Sequence, residues 1–440
     1  MTRDSIHITG LPYFPGMAVG RLQKGDCGDI AGRILLISQP EMSVYETLPA
    51  GFIVVEAVPF SHTMIGLLGL GVPTVLISAE QAGRLEQDTQ LMIDGASGLI
   101  TNDLTAALTS IRPSDELLQN SNAGQAVLTT DGEPVNLLAS VRQASVARQA
   151  RELGAKAIGL VRTEFLLPEH EQTPDKSFYR RAFRDICEAA APLSVTFRLL
   201  DVATDKIPPW MAGKGIVGQP LGMQGVRIYN IEPVAAVIEA QLEVLAELSN
   251  TFSIRVLLPF LARLEEYDYW LHLIRTRLPA AVTIGAMAET PAMVLDIGHL
   301  IGHADFVAIG CNDLMQSVFA ADRDQPELRH YLDPYAPLLY RLFSQVAEQA
   351  GERLNQVHLC GVLAQMQGVL PVLLGLGYRN FSVDAPFIPH LAKCISTISK
   401  VDCEKLASQV VAADTTQQVL ELLQLTTDRH APFLCLKNDS

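Results

Sequence analysis

Three arginines stand at or near the ends of apolar segments, at Arg162, Arg198 and Arg323. A planar guanidinium donates two parallel hydrogen bonds to a carboxylate or phosphate group. Lys206 follows Arg198 in the same stretch and adds a fourth cation. These residue types therefore suit the recognition of a small substrate that carries several negative charges.

Carboxylates, an amide and a thiol occupy similar places after other apolar segments. Glu289 and Asp313 are hard oxygen ligands of the kind that Mg²⁺ takes, because this ion keeps several waters and bridges substrate oxygens. Asn312 directly precedes Asp313 and adds a hydrogen-bonding amide. Cys360 could move a proton to or from a substrate. The set predicts an anionic substrate held by a metal ion.

Each of these residues also has an ordinary structural explanation. A single arginine near a strand end is more often a salt-bridge residue. Glu289 and Asp313 could each cap the helix that follows them. A lone cysteine is usually a small buried hydrophobe. The structural explanation is favoured for any one residue, and the functional one is favoured for the whole set.

Eight strand-like apolar segments alternate with helical segments from residue 131 onward. Eight βα units over roughly 250 residues are typical of a TIM barrel, with a doubly wound open sheet as the alternative. The active site of a barrel lies at the C-terminal ends of its strands, and the polar residues above follow strands at that end. The predicted strands span residues 135–139, 157–161, 194–200, 254–258, 282–287, 306–310, 356–359 and 380–383.

The first 112 residues have a different pattern of apolar residues. Short apolar runs separated by Gly and Pro predict a compact, β-rich α/β domain, and its best helical stretch covers residues 63–70, directly after His62. The polar stretch 113–130 predicts a linker, because it breaks every apolar period. The expected organisation is a small domain over 1–112, the linker, and a barrel domain over 131–440.

Composition limits the classes of function. The chain has 440 residues, of which 48% are hydrophobic and 18% charged, so it can bury large cores. Its net charge of −15 argues against a general nucleic-acid binder. Seven cysteines without a CxxC pair predict neither a disulfide framework nor a zinc ribbon. With no signal-peptide core and no apolar run long enough to cross a bilayer, we expect a cytoplasmic protein without membrane partners.

Six motifs follow one another along the chain: GLVRTEFL at 159–166, FRLLDVATDK at 197–206, AETP at 288–291, IGCNDL at 309–314, ADR at 321–323 and LCG at 359–361. Together they resemble the barrel of the PEP-utilising enzymes, which binds phosphoenolpyruvate (PEP). The residues of these motifs and their order along the chain are most similar to those of the Enzyme I type of the sugar phosphotransferase system. Residues 10–20 and 60–63 resemble the swivelling phosphohistidine domain of the same enzymes, so the resemblance covers nearly the whole chain.

The resemblance implies an α/β protein in which a swivelling β/α domain precedes a (β/α)8 barrel. It implies that the enzyme transfers the phosphoryl group of PEP to a histidine, releases pyruvate, and passes the group to an unknown acceptor, for which a phosphocarrier protein is one candidate. It also implies a homodimer formed through the barrel. The residues it assigns are His62 and Cys360 for catalysis, Glu289 and Asp313 for Mg²⁺, and Arg162, Arg198, Lys206, Arg227, Asn312 and Arg323 for the substrate.

Several features depart from the family pattern. The stretch between Gly20 and the strand at Ile34 leaves no room for the helical subdomain that docks the phosphocarrier in Enzyme I. The segment before His62 lacks the family's Gly-Gly-Arg-Thr. Gln224 replaces the first of two arginines, whereas Arg227 keeps the second, so one phosphate contact is expected to be missing. An acidic residue and a glycine pair are also replaced, by Val362 and by Ala203-Thr204.

Two other functions stay open at this point. One is a PEP- or pyruvate-sensing protein with little or no turnover, which Gln224 and the altered segment before His62 suggest. The other is a metal-dependent keto-acid lyase or aldolase, because metal-bound enolates are common to both chemistries. A lyase has no need of a phosphohistidine domain, which argues against this second alternative.

Overall fold

The computed structural model describes residues 5–26, 28–38, 45, 47–104, 124–168, 172–204, 207–217 and 221–425, without the side chain of His62. Within these residues the chain forms two separate β-sheets, one in each part of the sequence. None of the helices described is long and apolar enough to cross a membrane.

The first sheet belongs to the small domain at the front of the chain. Its helices are α1 (His62–Leu68) and α2 (Ala79–Ala82). Its strands are β1 (His7–Thr9), β2 (Leu11–Phe14), β3 (Met17–Lys24), β4 (Arg33–Ser38), β5 (Gly51–Val55), β6 (Thr74–Ile77), β7 (Gln90–Asp94) and β8 (Leu99–Thr101). They lie in the order β1-β8-β7-β3-β4-β5-β6-β2, with β3 to β6 parallel and the other pairs antiparallel.

The central strands of this sheet are apolar on both faces. In β4, Ile34 and Leu36 pack into one hydrophobic cluster, whereas Leu35 and Ile37 pack into another. Successive side chains of a strand point to opposite faces, so a continuous apolar run marks a strand that is covered on both sides. Helix α1 covers the second face, where Met64 is fully buried.

The second sheet closes into a barrel. Its strands are β9 (Val127–Leu128), β10 (Pro134–Val141), β11 (Ile158–Arg162), β12 (Val195–Arg198), β13 (Ile254–Leu258), β14 (Thr283–Ala288), β15 (Val307–Gly310), β16 (Val357–Cys360) and β17 (Asn380–Asp384). Strands β10 to β17 are all parallel, and β17 pairs back onto β10 from Asn136↔Asn380 to Ser140↔Asp384. The closure confirms the predicted (β/α)8 barrel and excludes the open sheet.

Helices cover the outside of the barrel. They are α3 (Ala144–Glu152), α4 (Lys176–Ala190), α5 (Val234–Leu248), α6 (Leu264–Arg275), α7 (Pro291–Leu295), α8 (Ile297–His303), α9 (Cys311–Phe319), α10 (Pro337–Ala350), α11 (Val369–Gly375), α12 (Ile388–Thr397), α13 (Lys400–Ala412) and α14 (Thr416–Leu422). Short 3₁₀ turns follow several strands, at Thr163–Phe165, Gly225–Ile228, Leu363–Gln365 and Ala385–Phe387.

Helix α4 shows how the sequence places one of these elements. Asp175 caps its first turn, and the carboxylate accepts a hydrogen bond from the Phe178 backbone N–H at 2.8 Å. Tyr179, Phe183 and Ile186 recur at helical spacing on the buried face. The Phe183 ring lies 4.5 Å from that of Phe197 on β12, so the helix packs directly on the strand that carries Arg198.

The eight predicted barrel strands agree with the observed ones, with ends that differ by no more than two residues. Helix α1 also lies where residues 63–70 were predicted. The strands β1, β2 and β3 were not predicted, because Pro12 and Gly20 interrupt the apolar pattern of β2 and β3, and β1 has only three residues. Strand β9 lies inside the range 113–130 that was predicted as a linker, and it pairs with β10 of the barrel sheet. Residues 113–123 of that range lie outside the described part.

The small domain rests on the end of the barrel that carries the C-terminal strand ends. The Phe14 ring packs edge-on against Phe387, with the ring centroids 5.0 Å apart. A side chain at Gly71 would meet Pro386 at 2.9 Å, so the two surfaces approach closely after α1. This contact places α1 directly beside the polar strand ends.

Candidate active site

One pocket gathers the polar residues at the C-terminal ends of the barrel strands. It spans about 430 Å³ of empty space, part of which is open to solvent, and is called the rim pocket below. Because the strands are parallel and in register, side chains at or just after their last residues meet at this end. The charged and polar residues that line it are Arg162, Glu164, Arg198, Glu289, Asn312, Asp313, Arg323 and Cys360.

Arg198 is the centre of a buried ion cluster in the rim pocket. Its guanidinium contacts the Glu164 carboxylate and lies 2.8 Å from that of Asp201. Glu289 is 4.0 Å away. Burial alone would lower the pKa of Arg198, but Asp201, Glu164 and Glu289 outweigh it and raise that pKa. Arg198 is therefore held as a cation, and its Nε, buried without a hydrogen bond, is left for another acceptor.

A second ion pair lies across the pocket. Arg323 Nη2 is 3.2 Å from Asp313 Oδ1, and the Arg323 side chain is only 4% exposed. Asp313 stands in the first turn of α9, next to Asn312. This pair leaves Asp313 partly exposed to the pocket, so that its carboxylate is accessible to a bound ion.

Asn312 forms a hydrogen bond with the loop that follows β16, the strand that ends at Cys360. Its Oδ1 accepts a hydrogen bond of 3.1 Å from the Val362 backbone N–H. Gly361 has φ +114°, and an added Cβ would lie 2.8 Å from that same oxygen. Only glycine adopts this positive φ readily and leaves room for the Asn312 side chain. The loop geometry thus fixes the end of β16 against α9.

The Cys360 thiol keeps its proton at neutral pH. Burial raises its pKa to about 12, although the neighbouring Ser382 hydroxyl and the charges of Arg162 and Arg198 act in the opposite direction. A thiol with so high a pKa is a poor nucleophile; it remains protonated, but it is a weaker acid than a thiol with the pKa near 8 that best suits a proton donor. Its position suits a proton donor more than an attacking group.

Two carboxylates in the rim pocket suit a magnesium ion. Glu289 is 1% exposed, and its Oε1 accepts a hydrogen bond of 2.7 Å from the Phe260 backbone N–H, which orients the group. An added Cβ at Gly310 would lie 2.5 Å from Glu289 Oε2, so a glycine is needed to admit this carboxylate. The described residues contain no cluster of three or more His, Cys, Asp or Glu side chains that could hold a metal. Mg²⁺ is usually bound through one or two carboxylates and substrate phosphates, so Glu289 and Asp313 fit it.

Helix α1 brings the predicted histidine segment to the rim pocket. The helix begins at His62, where Ser61 Oγ caps it by accepting a hydrogen bond from the Met64 N–H at 3.3 Å. Ile65, about one turn further along, lines the rim pocket itself. The His62 side chain lies outside the described part of the chain, so only its backbone position is known.

Arg227, a predicted substrate residue, is not among the described residues that line the rim pocket. Arg227 donates to the Gly222 carbonyl at 3.2 Å, and its guanidinium lies 5.5 Å from the Phe260 ring centroid. Lys206 lies outside the described residues. Gln224, which replaces a family arginine, is buried at the start of a 3₁₀ turn and also does not line the pocket.

Sequence reasoning did not assign two residues near this site. Glu164 lies in the run Arg162-Thr163-Glu164, but its pairing with Arg198 depends on how β11 and β12 align, and there Arg162 lies opposite Arg198. Arg142 follows β10, whose predicted end was two residues too early. The position of Arg142 directly after a strand was the signal that could have identified it.

The chain is similar over most of its length to known phosphotransferases. The sequence-family model described as "PEP-utilising enzyme, PEP-binding domain" matches residues 116–400 of this chain. The phosphoenolpyruvate-protein phosphotransferase of Buchnera aphidicola subsp. Schizaphis graminum is 27% identical over 430 residues, which cover 90% of this chain and 73% of that protein. The protein of the same name from Bacillus subtilis is 27% identical over 385 residues, or 83% of this chain and 67% of its own length.

A longer relative shares the same part of its sequence with this chain. Multiphosphoryl transfer protein 1 of Escherichia coli K12 is 27% identical over 410 residues, which are 88% of this chain but 49% of that protein. The matched domain model covers more than half of the chain, and the residues at its strand ends form one pocket. The chain therefore belongs to the PEP-utilising enzymes, through their PEP-binding domain.

Proposed function

We propose that this protein is a PEP-dependent phosphotransferase that takes the phosphoryl group of PEP onto His62. The observation that carries the proposal is the position of α1. This helix begins at His62, and its next turn forms part of the wall of a pocket that contains three arginines. Phosphoryl acceptor and anion site thus lie side by side.

In the first half-reaction, a neutral imidazole nitrogen of His62 attacks the phosphorus of PEP. A new N–P bond forms, the P–O bond to the enol oxygen breaks, and the electron pair stays on that oxygen as an enolate. An unperturbed histidine has a pKa near 6.5, so a large fraction is neutral at pH 7. Arg162, Arg198 and Arg323 stabilise the phosphoryl and enolate oxygens.

The enolate must gain a proton on carbon to become pyruvate. Cys360 lines the rim pocket and keeps its proton at neutral pH, so it is the donor in this proposal. The thiolate left behind lies near Arg162 and Arg198, whose charges stabilise it. Bulk water then returns the proton.

Glu289 and Asp313 would hold Mg²⁺ in the rim pocket. When bound, this ion supplies positive charge to the phosphoryl and enolate oxygens of the substrate. Asn312 orients the loop that follows Cys360. Arg227 and Lys206 remain predicted substrate residues, and replacing each of them would test its contribution to PEP binding.

The second half-reaction passes the phosphoryl group from His62 to an acceptor. Two of the relatives are named phosphoenolpyruvate-protein phosphotransferase, which makes a phosphocarrier protein the first acceptor to test. We also propose a homodimer formed through the barrel. Large hydrophobic side chains are exposed on its fifth and sixth βα units, at Leu295, Tyr331 and Leu338. Light scattering of the purified chain would test the dimer.

Intact-mass spectrometry after incubation with PEP and Mg²⁺ tests the main proposal. We expect the mass of one phosphoryl group to be added to the wild-type chain and not to His62→Ala, with stoichiometric release of pyruvate. The added phosphate should be labile in acid and stable in base, as a phosphohistidine is. Pyruvate release that persists in His62→Ala would instead indicate a lyase-type reaction at the rim pocket.

A PEP-binding protein with little turnover is the second candidate. The buried Gln224 favours it, because glutamine cannot supply the charge that an arginine at this position would. Such a protein would be stabilised thermally by PEP without forming pyruvate or phosphoprotein. Replacing Gln224 by arginine should then tighten PEP binding, and an unchanged affinity would reject the missing charge as the cause.

A further inference from the structure

A second cavity lies at the contact between the small domain and the barrel. It spans about 320 Å³ of empty space, part of which is open to solvent. One wall is formed by Gly66 and Gly69 of α1 and the turn after it. The other is formed by the barrel residues Arg142, Arg162 and Asp384. We call this cavity the seam pocket.

The seam pocket carries more positive than negative charge. Within the described part of the chain, the side chains of Arg142 and Arg162 make no hydrogen bond and no ion pair. The lining contains one carboxylate, Asp384, which is buried and accepts a hydrogen bond of 3.1 Å from Gln365 Nε2. Burial lowers the pKa of Arg142, and the charge on Arg162 lowers it further. Two partly buried cations thus face one shared carboxylate.

Glycines in α1 keep the cavity open on the other side. A Cβ at Gly66 would lie 3.3 Å from Arg142 Nη1, and one at Gly69 would lie 3.7 Å from Asp384 Oδ1. The rest of the wall is largely apolar, with Ile65, Val146 and Phe165. The two guanidiniums lose water here and share a single carboxylate between them, which is costly unless an anion replaces the water.

We propose that the seam pocket binds a small oxyanion, of the phosphate or carboxylate class, as a site separate from the rim pocket. Two guanidiniums that converge on one space match the oxygens of such an anion. The seam pocket is distinct from the rim pocket because it is lined by Arg142, Gly66 and Asp384, none of which lines the rim pocket. Arg162 and Ile65 line both pockets, so the two sites adjoin.

A ligand in the seam pocket would stabilise the docked arrangement of the small domain. Its two walls belong to different domains, so the site exists only while α1 lies against the barrel. Anything that binds one arrangement and not the other shifts the population toward the first. The anion would therefore regulate how long His62 stays beside the rim pocket.

Calorimetric titration of the full chain with inorganic phosphate tests the proposal. The rim pocket is first filled with 3-phosphonopyruvate, a PEP analogue whose phosphorus cannot be transferred. We expect one further phosphate to bind to the wild-type chain, and Arg142→Gln to weaken it roughly 10- to 150-fold, the effect of one charge-assisted hydrogen bond. The matched control is Arg148→Gln, which removes the same charge from an exposed position on α3.

A second variant narrows the cavity without changing its charge. Gly66→Ala puts a methyl group beside Arg142 within a helix, where alanine is well tolerated, and should weaken phosphate binding while the chain stays folded. Phosphate binding that is equal in Arg142→Gln, Gly66→Ala and wild type would overturn the proposal. So would complete loss of wild-type phosphate binding when the analogue is present, because Arg142 would then serve the substrate of the rim pocket.

Two further phosphate titrations distinguish a failure of the seam-pocket proposal from a failure of the proposed phosphotransferase function. His62→Ala should bind free phosphate as the wild type does, and loss of that binding in the variant would overturn the proposal, because the His62 imidazole would then be part of the phosphate site. The comparison of Arg142→Gln with Arg148→Gln is also made without the analogue. Failure of the analogue to bind would then count against the proposed function and not against the seam pocket.

Discussion

Replacing Arg198 by methionine should destabilise the folded protein far more than the loss of a surface arginine does. In the rim pocket this one guanidinium faces Glu164, Asp201 and Glu289, whose side chains are 1%, 3% and 1% exposed. Methionine fills much of the same volume but carries no charge. The variant would therefore leave three carboxylates buried without their common cation.

The size of the effect follows from this burial. Removing one partner of a buried ion pair costs about 3–5 kcal/mol, because the remaining charge has lost both water and counter-ion. Each kcal/mol lowers Tm by about 2–4 °C in a domain of about 150–250 residues, and by less in a longer one. For Arg198→Met we therefore expect a fall in Tm on the order of 5–15 °C.

Thermal unfolding followed by circular dichroism measures this fall, with Arg180→Met as the matched control. Arg180 also binds a glutamate through two nitrogens, at 2.8 and 3.0 Å from Glu247, but both side chains are more than 40% exposed. Such surface pairs contribute about 0–1 kcal/mol.

Adding Glu164→Gln to Arg198→Met should recover part of the loss, since it removes one buried charge. The reasoning fails if Arg198→Met is as stable as Arg180→Met, or if the added Glu164→Gln destabilises the protein further.

Three other predictions follow from the geometry. The buried Cys360 thiol, with its pKa raised to about 12, should resist iodoacetamide at pH 8 in the folded chain, and Cys360→Ala should slow pyruvate formation while sparing PEP binding. Burial and Arg255 lower the pKa of His358 to about 3, whereas the unfolded chain takes up this proton near pH 6.5. Stability should therefore fall by about 2 kcal/mol from pH 7 to pH 5, and His358→Gln should reduce that fall in urea unfolding. Gly361→Ala should cost about 1–3 kcal/mol of stability, measured the same way, and reduce pyruvate formation, because it strains the backbone and displaces Asn312.

The eight barrel strands could be predicted because a parallel strand covered on both faces is a continuous apolar run. The same physics explains the failures. Strands β1 to β3 lie near the edges of their sheet or carry glycine and proline, as at Pro12 and Gly20, so their apolar pattern is broken. Their place depends on partners that lie far away in the sequence, such as β7 for β3.

The candidate site was predicted as a set of residues and not as a set of contacts. Arg162, Arg198 and Cys360 were identified because each ends a strand, and parallel strands end together. The pairing of Arg198 with Glu164 depends on the alignment of neighbouring strands and on a 3₁₀ turn. Arg142 was missed because the predicted strand stopped at Ala139, whereas β10 continues to Val141.

The seating of α1 on the barrel has a kinetic consequence. While Ile65 forms part of the rim pocket, the face of α1 that carries it lies against the barrel and is closed to any protein acceptor. The two half-reactions would then use different arrangements of the same chain and could not share a ternary complex. Steady-state rates should accordingly give parallel double-reciprocal lines for PEP and acceptor, and solvent viscosity should slow turnover if the reorientation of the small domain limits it.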